Sequence, residues 1–296
     1  MNHDARRCLL ASGHPVCPFF FILFAVFITM ATFHPLVSGS SLFCAILLYG
    51  LLTNGRQAAK RILFSFTACL LFGLINPLLS HRGATVLFTI GETPFTLEAI
   101  IAGVCTGLSF CAALCWFSSF HLLMTSDRML ALSGRILPTF SLLFCMVLRF
   151  VPFFSARAKE IIRAQAAAFP KAQQSKLSRC TSAFSILTTW ALENGIDTAD
   201  SMRARGYGTA RRTNSGSKRF SGKDAVFLAV CLSFAGAALA ALFSGNLSVW
   251  FYPVFYVTLA DEFALCGILA SALLFALAPI LTAWEVIRWR FLHWKR

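Results

Sequence analysis

Charged side chains are scarce in this sequence, and their scarcity excludes an ordinary soluble domain. Asp, Glu, Lys and Arg make up 13% of the 296 residues, whereas a soluble domain carries roughly a quarter. Hydrophobic residues make up 57%. Much of the surface must therefore face something other than water. Apolar runs of the ~20 residues that a bilayer core requires predict an all-α, polytopic membrane protein.

Signatures of catalysis are also missing. The sequence has no G-x-x-x-x-G-K-[ST] phosphate loop, no G-x-S-x-G nucleophile elbow and no H-x-x-x-H pair. We therefore expect no catalytic residues and no cofactor bound by this chain. A polytopic membrane enzyme is the alternative from another class, and activity of the purified chain without partners would favour it. Ionisable residues are almost absent from the apolar runs, which argues against a self-sufficient secondary transporter.

Cysteine pairs with metal-binding or redox spacing are absent, although the chain has 11 Cys residues. No two of them have C-x-x-C spacing, and most lie within apolar runs. Cys111 and Cys115 lie one helical turn apart within an apolar run, and we interpret them as small hydrophobic residues. The sequence predicts neither a disulfide framework nor a metal site.

The net charge of +14 is unevenly distributed. Lys and Arg cluster at 56–61, 157–223 and 288–296, whereas the stretches 34–53 and 244–262 contain neither. Under the positive-inside rule the basic segments are cytoplasmic, so both termini are expected in the cytoplasm. A nucleic-acid-binding patch is the alternative; the hydrophobic spans between the basic segments argue against it.

Six apolar segments are predicted to cross the bilayer, at 17–33, 36–53, 62–80, 97–122, 224–243 and 263–284. The segment 135–154 is equally apolar but contains Pro138, Arg149 and Pro152. A single crossing there would place the basic stretch 157–223 outside. An unpaired Arg in lipid also costs about 2.5–3.5 kcal/mol. The sequence therefore predicts an interface helix buried against protein partners.

Three regions follow from this pattern: 1–125 with four spans, 126–223 with the interface helix and cytoplasmic helices, and 224–296 with two spans and a basic tail. Two cytoplasmic helices are predicted, at about 153–169 and 177–205. Basic residues in the last turn of the second suit the helix dipole, and Gly206 is its predicted C-cap.

The second cytoplasmic helix contains Thr198-Ala199-Asp200-Ser201-Met202 and ends at Ala204-Arg205-Gly206. Here the sequence resembles the transmembrane T component of energy-coupling factor (ECF) transporters. Further matching segments lie within residues 33–208: Phe33-His34-Pro35, Asn76-Pro77-Leu78, His81-Arg82-Gly83, Met124-Thr125-Ser126-Asp127 and Leu148-Arg149-Phe150-Val151-Pro152.

The resemblance implies partners and site residues. Members of that family join two ATPases, which bind ATP, to a small membrane subunit that binds a vitamin or metal. Ala204, Arg205 and Gly206 match one ATPase-coupling motif, and Arg203 lies beside it. The first motif departs from the family pattern, and Arg163 is the candidate for the equivalent contact. Arg149, Pro152 and Pro138 are candidates for the substrate-subunit interface.

The resemblance thus implies a coupling subunit of a bacterial cell-membrane importer. The movement of docked cytoplasmic helices would tilt the interface helix against the substrate-binding subunit. The alternative is a conventional ABC permease that lines its own substrate path. Copurification of a separate small membrane subunit would distinguish them.

Overall fold

The computed structural model describes residues 13–53, 55–79, 85–90, 93–168, 176–209, 220–245, 247, 249–250, 256–257 and 262–294. The chain forms two compact units. One comprises Met1–Arg128 with Lys218–Arg296, and the other comprises Met129–Ser217. The predicted regions 1–125 and 224–296 therefore belong to the same unit.

Helices dominate the first unit. In chain order they are α1 (Val16–Ala31), α2 (Pro35–Leu52), α3 (Gly55–Leu79), α4 (Leu97–Leu123), α8 (Gly222–Phe243) and α9 (Glu262–Trp294). The second unit contains most of α5 (Ser126–Ile136), followed by α6 (Pro138–Ala168) and α7 (Lys176–Ala204). The predicted all-α fold class is confirmed for the described residues.

Two short antiparallel strand pairs lie in connections between helices, and the sequence did not predict them. One joins β1 (Val86–Ile90) to β2 (Thr93–Thr96) between α3 and α4. The other joins β3 (Val249–Trp250) to β4 (Tyr256–Val257) between α8 and α9. Loop composition alone gave no alternating pattern long enough to indicate them.

In the part of the chain that the structure describes, six helices are long and apolar enough to cross a membrane: 35–52, 55–76, 97–123, 139–168, 222–243 and 262–288. The number agrees with the prediction, but the set differs. Helix α1 has 16 residues and a length of about 24 Å, short of the ~30 Å hydrocarbon core. Helix α6, predicted as an interface helix, is also long and apolar enough to cross, and no residue in its most apolar stretch is fully buried.

The core of the first unit is built around Trp116 of α4, which is fully buried. Its ring contacts Phe21 of α1 at a centroid distance of 5.5 Å and Phe275 of α9 at 6.1 Å. Its indole N–H donates to Ser41 Oγ of α2 at 2.9 Å. Ser41 Oγ is also 2.7 Å from Thr29 Oγ1 of α1. A buried indole needs such a partner, so one hydroxyl joins three helices.

Helices α3 and α4 approach closely because α4 presents glycine to α3. A Cβ on Gly103 would lie 2.7 Å from both Asn76 Cβ and the Phe72 carbonyl oxygen. One turn further, a Cβ on Gly107 would lie 3.0 Å from Phe72 Cβ. Small residues spaced by four allow such backbone contact between membrane helices. Asn76 reinforces it by donating to the Ala99 carbonyl at 2.7 Å.

In the second unit, α6 is one continuous 31-residue helix that passes through Pro152. The predicted division into an interface helix 135–154 and a separate helix 153–169 was wrong. Proline removes one backbone hydrogen bond and kinks a helix, but it does not have to end it. The helix-favouring, Ala-rich sequence that follows allows α6 to continue to Ala168. Helix α7, in contrast, begins and ends within one residue of the predicted 177–205.

Candidate functional site: the groove between α6 and α7

A groove of about 850 Å³ lies between α6 and the C-terminal part of α7, within the second unit. Its residues are of two kinds: apolar side chains, mostly from α6, and polar or charged ones, mostly from α7. They are Met146, Arg149, Phe150, Pro152 and Phe153 from α6, and Asn194, Asp197, Thr198, Ser201, Met202 and Arg205 from α7 and its end. We call this the coupling groove.

An aromatic cluster holds the two helices together beyond one end of the coupling groove. The Trp190 ring of α7 lies 5.1 Å from the Phe153 ring and 5.8 Å from the Phe154 ring of α6. Arg157 of α6 lies over the same indole, with Cζ 5.2 Å from its centroid. Aromatic and cation–π contacts of this kind each contribute about 0.5–1 kcal/mol or somewhat more. The cluster thereby determines which α6 residues face the groove.

The two helices run antiparallel. Gln165 Nε2, near the end of α6, donates to Ser182 Oγ, near the start of α7, at 3.1 Å. Earlier α6 residues face later α7 residues, as the pairing of Phe153 with Trp190 shows. The apolar first half of α6 therefore lies opposite the end of α7 that carries Arg205. This register brings Arg149 and Arg205 to the same groove.

The end of α7 has the hydrogen bonds of a Schellman motif. Tyr207 N–H donates to the Met202 carbonyl at 3.0 Å, and Gly206 N–H donates to the Arg203 carbonyl at 2.9 Å. Gly206 has φ +82°, the left-handed conformation that this motif requires at the residue after the cap. The prediction that Gly206 caps the helix is confirmed. The motif ends α7 immediately after Ala204 and leaves Arg205 at the groove.

Two cations and one anion line the coupling groove. Within the groove, neither Arg149 nor Arg205 forms an ion pair with Asp197. Both arginines are exposed. A guanidinium offers five N–H donors in a planar fork that suits a carboxylate. The groove can therefore accept an acidic side chain against its arginines while its apolar wall packs against a hydrophobic neighbour.

The structure brings three of the predicted site residues together: Arg149, Pro152 and Arg205 line the groove. Arg203, Ala204 and Arg163 are exposed and do not line it, and neither does the half-buried Gly206. Pro138 is the first residue of α6, and its side chain lies outside the described part of the chain. Their coupling and interface roles stay predictions.

Sequence analysis missed Asn194, Asp197 and Ser201 as groove residues and Trp190 as the residue that holds the helix pair. Asp197 belongs to an acidic stripe with Glu193 and Asp200, and that stripe was the available signal. Which α6 residues it faces depends on the antiparallel register, and no local sequence pattern encodes that register.

The segment Phe33-His34-Pro35, which carried part of the predicted resemblance, lies between α1 and α2. His34 is 1% exposed, and both its ring nitrogens have no hydrogen-bond partner among the described residues. Burial lowers the pKa of its imidazole, because the charged form loses hydration. A neutral imidazole is therefore favoured at this position.

No group of three or more His, Cys, Asp or Glu side chains in the described part of the chain could hold a metal ion. The coupling groove offers hydrogen-bond donors and an apolar wall, which suit a protein segment. No protein-family model matches this sequence, and no curated protein matches it.

Proposed function

We propose that this chain is the transmembrane coupling subunit of an energy-coupling factor importer for a vitamin or metal. In this proposal it binds two ATPase subunits, which bind ATP, and a small membrane subunit that binds the substrate. It would lie in a bacterial cell membrane with both termini in the cytoplasm. All the basic segments then lie on the cytoplasmic side, as the positive-inside rule requires, when α1 crosses the bilayer and α6 does not. The chain itself would transmit movement and carry out no chemistry.

The coupling groove is the observation that carries the proposal. Arg205, from the motif that matches an ATPase contact, lines it together with Arg149 and Pro152, the candidates for the substrate-subunit interface. These residues come from separate stretches of sequence, about 50 residues apart. A subunit that couples two partners needs such a physical link between the surfaces that contact them.

The uncovered surface of α6 supports the second half of the proposal. Large apolar side chains along its first half are mostly exposed, with Phe140 at 59%, Leu143 at 57% and Val151 at 60%. Burial of apolar surface in a partner is favourable by roughly 25 cal/mol per Å² when the alternative is water. A helix that is apolar at one end and basic at the other suits contact with a membrane subunit and with soluble partners.

The experiment is charge reversal at Arg205. Truncating one member of a buried, hydrogen-bonded charge pair costs about 2–5 kcal/mol at an interface, and reversal costs more. An arginine that only caps its own helix would contribute about 0.3–1 kcal/mol. We expect Arg205→Glu to insert and fold, to lose the ATPase subunits on purification, and to abolish most uptake.

Arg56→Glu is the matched control, since Arg56 is an exposed cation of α3 that lies outside both predicted cytoplasmic helices and does not line the groove. It should retain the ATPases. An Arg205→Glu protein that holds both ATPases and transports normally would contradict the coupling role. Transport with ATPases but without a separate small membrane subunit would instead favour the conventional permease.

A further inference from the structure

A second groove, of about 690 Å³, lies between α8 and α9 in the first unit. Ten of its eleven lining residues carry no charge, and Lys223 is the exception. Phe227 is the most buried of them, at 6% exposed, whereas Val226 and Ile280 are 65% and 62% exposed. We call this the α8–α9 groove. Both helices meet the criterion for membrane spans, so it opens toward the region that lipid occupies.

Lys223 lies at one end of the α8–α9 groove. The two helices are antiparallel, because Gly267 near the start of α9 packs against Ala241 near the end of α8. Lys223 in the first turn of α8 is therefore level with the part of α9 that follows Leu281. The groove extends from Lys223 to Phe234 along α8, about 16 Å at the rise of a helix. That length is about half of the ~30 Å hydrocarbon core, the depth of one leaflet.

The charge of Lys223 is available to a ligand. The adjacent acid, Asp224, is 4% exposed and forms a capping box with Ser221, whose N–H donates to Asp224 Oδ2 at 3.1 Å. Lys223 has no ion pair or hydrogen bond among the described residues. The groove thus combines a one-leaflet apolar channel with a cation at the end where a lipid headgroup would lie.

We propose that the α8–α9 groove binds an anionic phospholipid, with one acyl chain along the groove and the headgroup phosphate at Lys223. A long apolar channel ending in an ammonium matches both parts of such a lipid, whereas a zwitterionic lipid offers a weaker charge match. Basic pockets between membrane helices recognise acidic headgroups on the same principle. The proposal is independent of the coupling function.

Native mass spectrometry of the purified full chain, with added phosphatidylglycerol or phosphatidylcholine of identical acyl chains, tests the proposal. The wild type should retain phosphatidylglycerol preferentially. Lys223→Gln should weaken phosphatidylglycerol binding about fivefold, the effect of one cationic contact, and leave phosphatidylcholine unchanged. Arg56→Gln, which removes an exposed cation outside this groove, is the matched control and should behave as wild type.

Ala276→Phe places a ring in the groove without changing charge and should reduce retention of both lipids. Equal retention of the two lipids by the wild type would overturn the proposal. It would also be overturned if Lys223→Gln bound phosphatidylglycerol as well as Arg56→Gln does. A dimer that forms in the wild type and is lost in Ala276→Phe would also overturn it, since a second copy would then occupy the groove. Lys223→Gln changes an exposed side chain, so the test remains decisive if Ala276→Phe does not fold.

Discussion

Gly206 has a backbone conformation that other L-residues adopt only at a cost. Its φ of +82° lies in the left-handed region, and both hydrogen bonds that end α7 depend on the turn it makes. A side chain there costs roughly 1–2 kcal/mol, because Cβ approaches the following carbonyl oxygen. The turn at Gly206 also positions Arg205 at the coupling groove. A substitution at Gly206 should therefore affect both the end of α7 and the groove.

We expect Gly206→Ala to lower the free energy of unfolding by about 1 kcal/mol and to fray the end of α7. Thermal unfolding in detergent and amide hydrogen exchange near Arg203 would measure the two effects. Gly195→Ala is the matched control, because Gly195 lies inside the same helix with open space around its Cβ position. It should stabilise the protein by about 0.5–1 kcal/mol. Equal effects of the two substitutions would contradict this account.

At the scale of elements, the pairing of α6 with α7 depends strongly on Trp190. Its indole contacts Phe153, Phe154 and Arg157, all from α6. A hydrogen bond from Gln165 to Ser182 also links these helices. The coupling groove continues from Phe153 toward the start of α6, so its width depends on this cluster.

Trp190→Ala should remove about 2 kcal/mol of helix pairing, the sum of two ring contacts and one cation–π contact. Spin labels at 164 on α6 and 185 on α7, in a cysteine-free background, should then show a broader distance distribution. Phe184→Ala is the control, since Phe184 of α7 is 70% exposed and makes no described ring contact. An unchanged distribution in Trp190→Ala would mean that other contacts hold the pair.

Local signals in the sequence predicted α7 and α4 to within one or two residues but misjudged α6. Gly206 after the last turn of α7 and the run of apolar residues after Thr96 are signals of helix ends that act locally. Pro152 is the same kind of signal, yet α6 continues through it despite the lost backbone hydrogen bond and the clash of its ring with the preceding turn. Three of the predicted site residues, Arg149, Pro152 and Arg205, line one groove. Asp197 was missed because its neighbours come from another helix.

At the scale of the whole molecule, the first unit depends on the closeness of α3 and α4. Gly103 and Gly107 present bare backbone to Phe72 and its neighbours, and the space is too small for a methyl group at Gly103. Lipid tails are as apolar as leucine, so close packing and hydrogen bonds provide the association energy of such helices. A substitution that separates α3 from α4 therefore loses contacts along the whole interface.

We expect Gly103→Ala to lower the free energy of unfolding by about 1–3 kcal/mol, because the new methyl group would lie 2.7 Å from the Phe72 carbonyl oxygen. Gly236→Ala in α8 is the matched control, with nothing within 4 Å of its Cβ position. It should be neutral or stabilising. Thermal unfolding of both variants in one detergent provides the measurement. A Gly103→Ala protein as stable as Gly236→Ala would show that α3 moves aside freely.

Because α6 is one continuous helix, a movement at one of its ends can be transmitted to the other. Trp190 touches α6 at Phe153, which lies near the midpoint between Pro138 and Ala168. Each arm is therefore about 22 Å long at the helical rise. If α6 pivots there as a rod, a displacement at one end is returned at the other with the same size and the opposite direction. Pro152 lies one residue from this pivot. A helix bends most easily at a proline, and bending at Pro152 would reduce the displacement that reaches the far end of α6.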